Sequence, residues 1–254
     1  MRRIFLLPLL ALLLAGCPRR IDFGTYGPLS DPLFVLGVLQ DRYEQVRGLV
    51  GEGKLSVDSP DVKGTLRMAV ELAEPGSIYL ETVDLLGTPR GTFATDGTRF
   101  AFYRPDQNVF FEGPATAELL GRFLPVAMPP DELVQVMLGQ IPLLLNAEES
   151  RMEVDDTAGT YVIFLREGAV RQRVEVSTRD LRLISVQTRG RPAVDASFDD
   201  HEELLPGLPF PTSVHLRVPR SDVRLRYTDV RLNPVSRPET FVLQPPPGAR
   251  VEHL

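Results

Sequence analysis

Very few residues in this chain are equipped for chemistry. Its 254 residues include one cysteine, three histidines and no tryptophan. The histidines, His201, His215 and His253, are isolated from any nucleophile in a recognisable setting, so no set of nucleophile, base and orienting group is legible. His215 sits between Val214 and Leu216, where strand alternation would aim it from a polar face. His253 adjoins the last residue. His201 lies within Asp199-Asp200-His201-Glu202-Glu203. That cluster reads as a weak cation site or as a solvated acidic loop, and the ligand spacing, which matches no known cation-binding loop, favours the solvated loop. No glycine-rich phosphate loop ending in Lys-Ser or Lys-Thr occurs, which argues against nucleotide hydrolysis. The expectation is a protein that is not an enzyme and holds no cofactor or metal. Its working material is apolar surface.

The single thiol, Cys17, follows Leu14-Ala15-Gly16 at the end of an apolar run that begins after Arg2 and Arg3. The run, residues 4–14, is too short for a comfortable membrane span and has the flanks of a secretory signal. With small residues before the cysteine, it resembles a bacterial lipobox. That resemblance implies cleavage after residue 16, acylation of Cys17 and a membrane anchor at the new N-terminus. The alternative is a plain signal peptide or an N-terminal membrane helix with an incidental cysteine. With its thiol acylated, the chain has none left for a disulfide, and the core must hold the fold alone. Pro18, where Asp would retain a lipoprotein at the inner membrane, points to the periplasmic face of the outer membrane of a Gram-negative-type bacterium. Loss of Arg2 and Arg3 takes the formal charge from −6 to −8. An acidic body of this kind argues against nucleic acid and against broad adhesion to anionic lipid.

The remaining elements follow from pattern. Residues 17–30 form a polar, Gly- and Pro-containing tether, and residues 31–254 a single domain. Asp31 before Pro32 is an N-cap and first-turn pair, opening a helix over 31–47 with Leu33, Val35, Leu36, Leu39, Tyr43 and Val46 as its apolar face. Strand signals follow at 49–59, 62–72, 77–85, 91–95, 99–103 and 109–112, with Asp96-Gly97 as a hairpin turn. Residues 114–141 then turn helical in pattern. Leu119, Leu120, Phe123 and Leu124 share one face of a first helix. After Pro129-Pro130, Leu133, Val134, Met137, Leu138 and Ile141 share a face of a second, with Asp131 and Glu132 in its first turn. Strands resume at 150–155, 160–166, 170–177, 181–188, 194–199, 213–218 and 223–232, and Phe241 to Leu243 would add an edge. The prediction is a mainly β fold with about eleven strands and internal helices laid as a plug against a curved antiparallel sheet.

The apolar residues between plug and sheet are the candidate binding surface: Leu80, Phe93, Phe100, Phe102, Phe110, Phe123, Leu133, Met137, Ile163 and Leu165. Apolar alternation is also the ordinary signature of a closed core, so any one of these could simply be core. Leu85 and Leu86 are adjacent before Gly87 and Pro89 at a strand end, so they either tuck into the core or stand exposed at a turn.

The order of these elements resembles the LolA/LolB lipoprotein-localisation superfamily, LolB more closely because it is itself a lipoprotein. Three segments carry the resemblance: Leu85-Leu86-Gly87-Thr88, the helical stretch 117–141 with LLGRFLPVAMPPDELVQVMLGQIPL, and 211–232 with PTSVHLRVPRSDVRLRYTDVRL. The tail PETFVLQPPPGARV is closer to LolA. The likeness spans about 35–232 and implies an incomplete antiparallel β-barrel whose helices form a lid over a hydrophobic cavity. It implies acyl chains or acylated lipoproteins as ligands, a LolA-like periplasmic carrier as partner, insertion of lipoproteins into the outer membrane, and Leu86, with Leu85 in reserve, as the membrane-inserting residue. A monomer is expected. The alternatives are a lipid-binding or sensing lipoprotein of the same fold with a protein partner, and a structural envelope lipoprotein with a filled core.

Overall fold

The computed structural model describes residues 21–60, 62–190 and 193–254. Cys17 and the expected signal segment lie outside the described residues. Alternation of apolar and polar side chains produces two long meanders. The first runs through β1 (Gly48–Asp58), β2 (Lys63–Ala73), β3 (Ser77–Val83), β4 (Pro89–Asp96), β5 (Arg99–Arg104) and β6 (Val109–Pro114). The second runs through β7 (Glu149–Asp155), β8 (Thr160–Glu167), β9 (Val170–Ser177), β10 (Leu183–Arg189), β11 (Val194–Leu205), β12 (Leu208–Val218) and β13 (Ser221–Leu232). Neighbours pair antiparallel within each meander, and β1 pairs antiparallel with β13, joining the two. The result is an open, unclosed sheet of fourteen strands, an incomplete barrel with β7 at one edge and β14 (Arg250–His253) at the other.

Each expected strand region before residue 233 is present, and the count exceeds eleven because every short stretch pairs separately. The tail departs from expectation. Phe241 belongs to a 3-10 turn, Pro238–Phe241, and the edge strand is β14, parallel to β6. The sequence Arg-Val-Glu-His carries little apolar alternation, because an edge strand is held by backbone hydrogen bonds rather than by a buried face. The Asp199–Glu203 cluster also departs from expectation. It is strand, not loop, within the β11–β12 hairpin. There the ladder bonds to β12, with its buried Leu208, Phe210 and Val214, outweigh the poor strand propensity of the acidic run.

Among the described residues, three helices fill the concave side. α1 (Pro32–Tyr43) starts as expected, the Asp31 carboxylate accepting from the Leu33 amide, and buries Val35, Leu36 and Leu39. Arg42 donates from Nη1 and Nη2 to the carbonyls of Leu181 and Asp180 at 2.6 and 2.8 Å, fixing α1 over the second meander. α2 (Ala117–Leu120) is a single turn capped by Thr116, shorter than the pattern over Leu119–Leu124 suggested because Gly121 and Pro125 do not sustain it. α3 (Pro130–Met137) buries Leu133, Val134, Val136 and Met137. It ends at Gly139, whose φ of 76° suits glycine and whose backbone presses on the Pro211 ring. Beyond it the chain is stapled by polar side chains. Tyr227 Oη donates to the Met137 carbonyl at 2.7 Å, Gln140 to the Val46 carbonyl at 3.1 Å, and Gln172 to the Pro142 carbonyl at 2.8 Å.

Candidate functional site

The inner face of the first meander is not completely filled. Leu55 and Val57 of β1, Leu66 of β2, Leu80 of β3, Phe93 of β4 and Phe102 of β5 all project to this side, by the pairing of Leu55 with Leu66, Leu80 with Phe93 and Phe93 with Phe102. Above them lies the stretch 121–128 between α2 and α3. The two surfaces enclose a cleft of about 810 Å³, within the range of small-ligand sites. A deeper chamber of about 70 Å³ shares Leu55, Leu80, Phe93, Leu124 and Pro125 with the cleft. Leu133 and Met137 of α3 help to close it, and every side chain lining it is apolar.

Aromatic packing shapes the walls. Gly91 sits where a Cβ would come within 2.8 Å of the Phe102 ring, so the glycine leaves room for that ring to pack closely on β4. Phe123 reaches down from the roof to Phe100, Phe102 and Phe111, with ring centroids 5.3, 5.6 and 5.0 Å away. Among the described residues, no hydrogen bond joins 122–128 to the sheet; the roof is held by apolar contact.

The β3–β4 loop stands beside the cleft mouth and is built around Asp84. Its Oδ1 accepts from the amides of Leu86 and Thr88, both at 2.9 Å, and its Oδ2 accepts from Arg90 at 2.8 Å. These bonds, those from the Thr88 amide foremost and that from Arg90 among them, hold the Asp84 carboxyl below its usual range. Gly87, at φ 90°, makes the turn. The loop thereby holds Leu85 and Leu86 in water, 67% and 93% exposed. Arg90, near the start of β4, both bonds to Asp84 of this loop and lines the cleft.

No protein-family model matches the sequence, and no curated protein matches it. Solved structures do match. One is a domain described as outer membrane lipoprotein-sorting, from Vibrio parahaemolyticus: TM-score 0.55, 12% identity, covering 82% of this chain and 95% of that one. A LolA superfamily protein from Nitrosomonas europaea gives 0.50 at 12%, over 82% and 97%. A DUF1329 family protein from Desulfovibrio piger gives 0.54 at 13%, over 83% and 95%. The chain has a LolA-like fold.

Within that LolA-like half-barrel, the residues expected at the cavity separate into three groups. Leu80, Phe93, Phe102 and Phe123 line the cleft, and Leu133 and Met137 line the chamber with Leu80 and Phe93. Phe100 is on the same inner face but buried beside the cleft rather than lining it, stacked on Phe93 at 6.1 Å. Phe110, Ile163 and Leu165 are not at the cavity. Phe110 pairs with Tyr103 and Val251, which places it on the opposite face from Phe102. It is buried there, apart from the main core, on the face that the Pro238–Phe241 turn crosses. Ile163 and Leu165 are on the inner face but in the second meander, in solid core. His201 is likewise remote, its ring bonded to the Leu183 carbonyl at 3.1 Å, with burial lowering its pKa. His215 is on the outer face, bonded to Asp222 at 2.8 Å. Among the described residues, no group of three or more His, Cys, Asp and Glu is placed to hold a metal, and no helix is long and apolar enough to cross a membrane.

The basic residues of the lining were not found from sequence. Lys63, Arg90, Arg104, Arg122 and Arg220 come from five separate segments. Each falls in its own polar position, so no charged run marks them.

Proposed function

We propose that this protein is an envelope lipoprotein, anchored through Cys17 to the periplasmic face of the outer membrane, that takes up the acyl chains of lipoproteins in its cleft and inserts them into that membrane. The observation that carries the reading is the apolar cleft of about 810 Å³ opening beside a loop that holds Leu86 in water at 93% exposure. An acyl chain gains about 0.8 kcal/mol for each methylene hidden from water, so an apolar cleft whose roof is held to the sheet by apolar contact suits cargo that must enter and leave. An exposed leucine on a braced turn suits a brief contact with hydrocarbon at the moment of release. A LolA-like carrier would supply the cargo, and transfer runs towards the tighter site, because nothing in the mechanism consumes ATP.

The test is delivery in cells depleted of the protein. Acylated lipoproteins should accumulate short of the outer membrane, wild-type protein should restore them, and Leu86→Glu at equal abundance should not. Normal lipoprotein distribution in depleted cells overturns the sorting role. Full rescue by Leu86→Glu overturns the insertion role of the loop.

A further inference from the structure

The cleft lining is basic although the chain as a whole is acidic. The chain carries 34 acidic against 28 basic residues, yet every ionisable residue among those described in the lining is basic: Lys63, Arg90, Arg104, Arg122 and Arg220. Two of these are neutralised locally, Lys63 by Asp58 and Arg90 by Asp84, each at 2.8 Å. The other three have no carboxylate within ion-pair distance among the described residues. Arg104 lies over the rings of Phe102 and Phe111, 5.7 Å from each centroid, and Arg122 lies 5.9 Å from the Phe123 centroid. Stacking of this kind holds a guanidinium by its face and leaves N–H groups at its edge to donate, one of which, on Arg104 Nη1, reaches Gln107 Oε1 at 3.5 Å. Arg220 stands on the β12–β13 turn, across the mouth from β5.

Three like charges around one apolar opening repel each other and attract an anion. The anion must be attached to something apolar, because the space behind the charges is lined by Leu80, Phe93, Phe102 and Phe123. A single fatty carboxylate offers one charged group with two oxygens. A phosphodiester joined to acyl esters offers charged oxygens for arginine forks and carbonyl oxygens below them. We propose that the cleft binds an anionic glycerophospholipid, its acyl chain in the apolar floor and its phosphate held by Arg104, Arg122 and Arg220. This rests on the acyl-binding reading above and adds a headgroup preference to it.

The experiment uses the full chain in vesicles containing a trace of phospholipid with a photoactivatable acyl chain. Phosphatidylglycerol and phosphatidylcholine probes with identical chains are compared, and labelled residues are mapped by mass spectrometry. Phosphatidylglycerol should label the cleft floor about tenfold more than phosphatidylcholine, the size of one charge-assisted hydrogen bond. Arg104→Gln, Arg122→Gln and Arg220→Gln together should bring phosphatidylglycerol labelling down to the level of phosphatidylcholine, with an unchanged urea-unfolding midpoint showing that the variant is folded. Equal labelling by both lipids in the wild type overturns the headgroup proposal and leaves acyl binding standing. Absence of floor labelling by either lipid overturns both. Displacement of phosphatidylglycerol by millimolar inorganic phosphate alone would mean a free-phosphate site and overturns the lipid assignment.

Discussion

The two halves of the concave face are made from the same kind of strand and end in opposite states. In the second meander, Tyr161, Ile163, Val174, Val176, Val186 and Phe198 are all fully buried. In the first, Leu66, Leu80 and Phe102 stay only half-buried on the same side of the same sheet. The difference lies in what covers them. The second half is covered by the twelve-residue α1 and by the chain after α3, held through Arg42, Gln140 and Gln172 to backbone carbonyls. Over the cleft, the first is covered by a turn whose Gly121, Pro125 and Ala127 have little side chain to fill the space, and which no hydrogen bond to the sheet fixes among the described residues, while α3 closes the chamber beside it. A strand pattern specifies which residues face inward. Whether that face becomes core or cavity depends on the volume and anchoring of the opposing layer.

The contrast can be broken most directly by truncating one aromatic residue on each side. Phe198→Ala should cost about 3–5 kcal/mol in urea unfolding, as for a large side chain lost from a packed site. Phe102→Ala, which only widens an existing cleft, should cost clearly less. Equal losses would mean that both halves are packed alike. Next in size, Gln140→Leu leaves the Tyr43 and Val46 carbonyls without their donor and should cost about 1–3 kcal/mol. Arg122→Gln on the roof should stay within about 0.5 kcal/mol, as for a surface change. Leu86→Glu should be equally silent in unfolding, so a loss of delivery in that variant would be a loss of function alone.

Acid gives the smallest and most local effects, and it should reach the two halves in sequence. His201 in β11 has its pKa lowered, first by burial and then by Arg182. Its neutral form is the native one, so its stabilising contribution is complete above the ordinary histidine value. That contribution declines as pH falls through that value towards the depressed one. Asp84 also has a depressed pKa, and the order it gives the β3–β4 loop is lost only as pH falls through a value below the usual carboxylate range. Amide exchange should therefore quicken at the β10–β11 end before it quickens at Leu86 and Thr88. His201→Gln should remove the first phase and leave the second. The reverse order of loosening would contradict both assignments.

Much of the fold was legible because it rests on local rules. Asp31-Pro32 announced α1, Asp96-Gly97 announced the β4–β5 turn, and alternation placed the strands before residue 233. The site was legible only in part, because side-chain direction alone does not give position along a curved sheet. Ile163 and Leu165 face inward as expected but beneath α1's half. Phe110, expected at the cavity, lies on the opposite face, and adjacent Val109, Phe110 and Phe111 are all apolar, so period two cannot choose among them. β14 pairs through its backbone and leaves little side-chain signature. The basic lining is assembled only by folding.

The pairing of β1 with β13 has a consequence for how the molecule is made. Each meander closes through short-range hairpins, while this seam brings Gly48–Asp58 against Ser221–Leu232, with well over half of the chain between them. Contacts of such separation form late and slowly, because the intervening chain must first be ordered. Until the seam forms, β1 is a long bare edge in a half-finished protein, and the nearest strand able to satisfy it belongs to another copy. The seam is therefore the step at which crowding during folding would be most damaging, and slow-refolding or aggregating variants should cluster on β1 and β13.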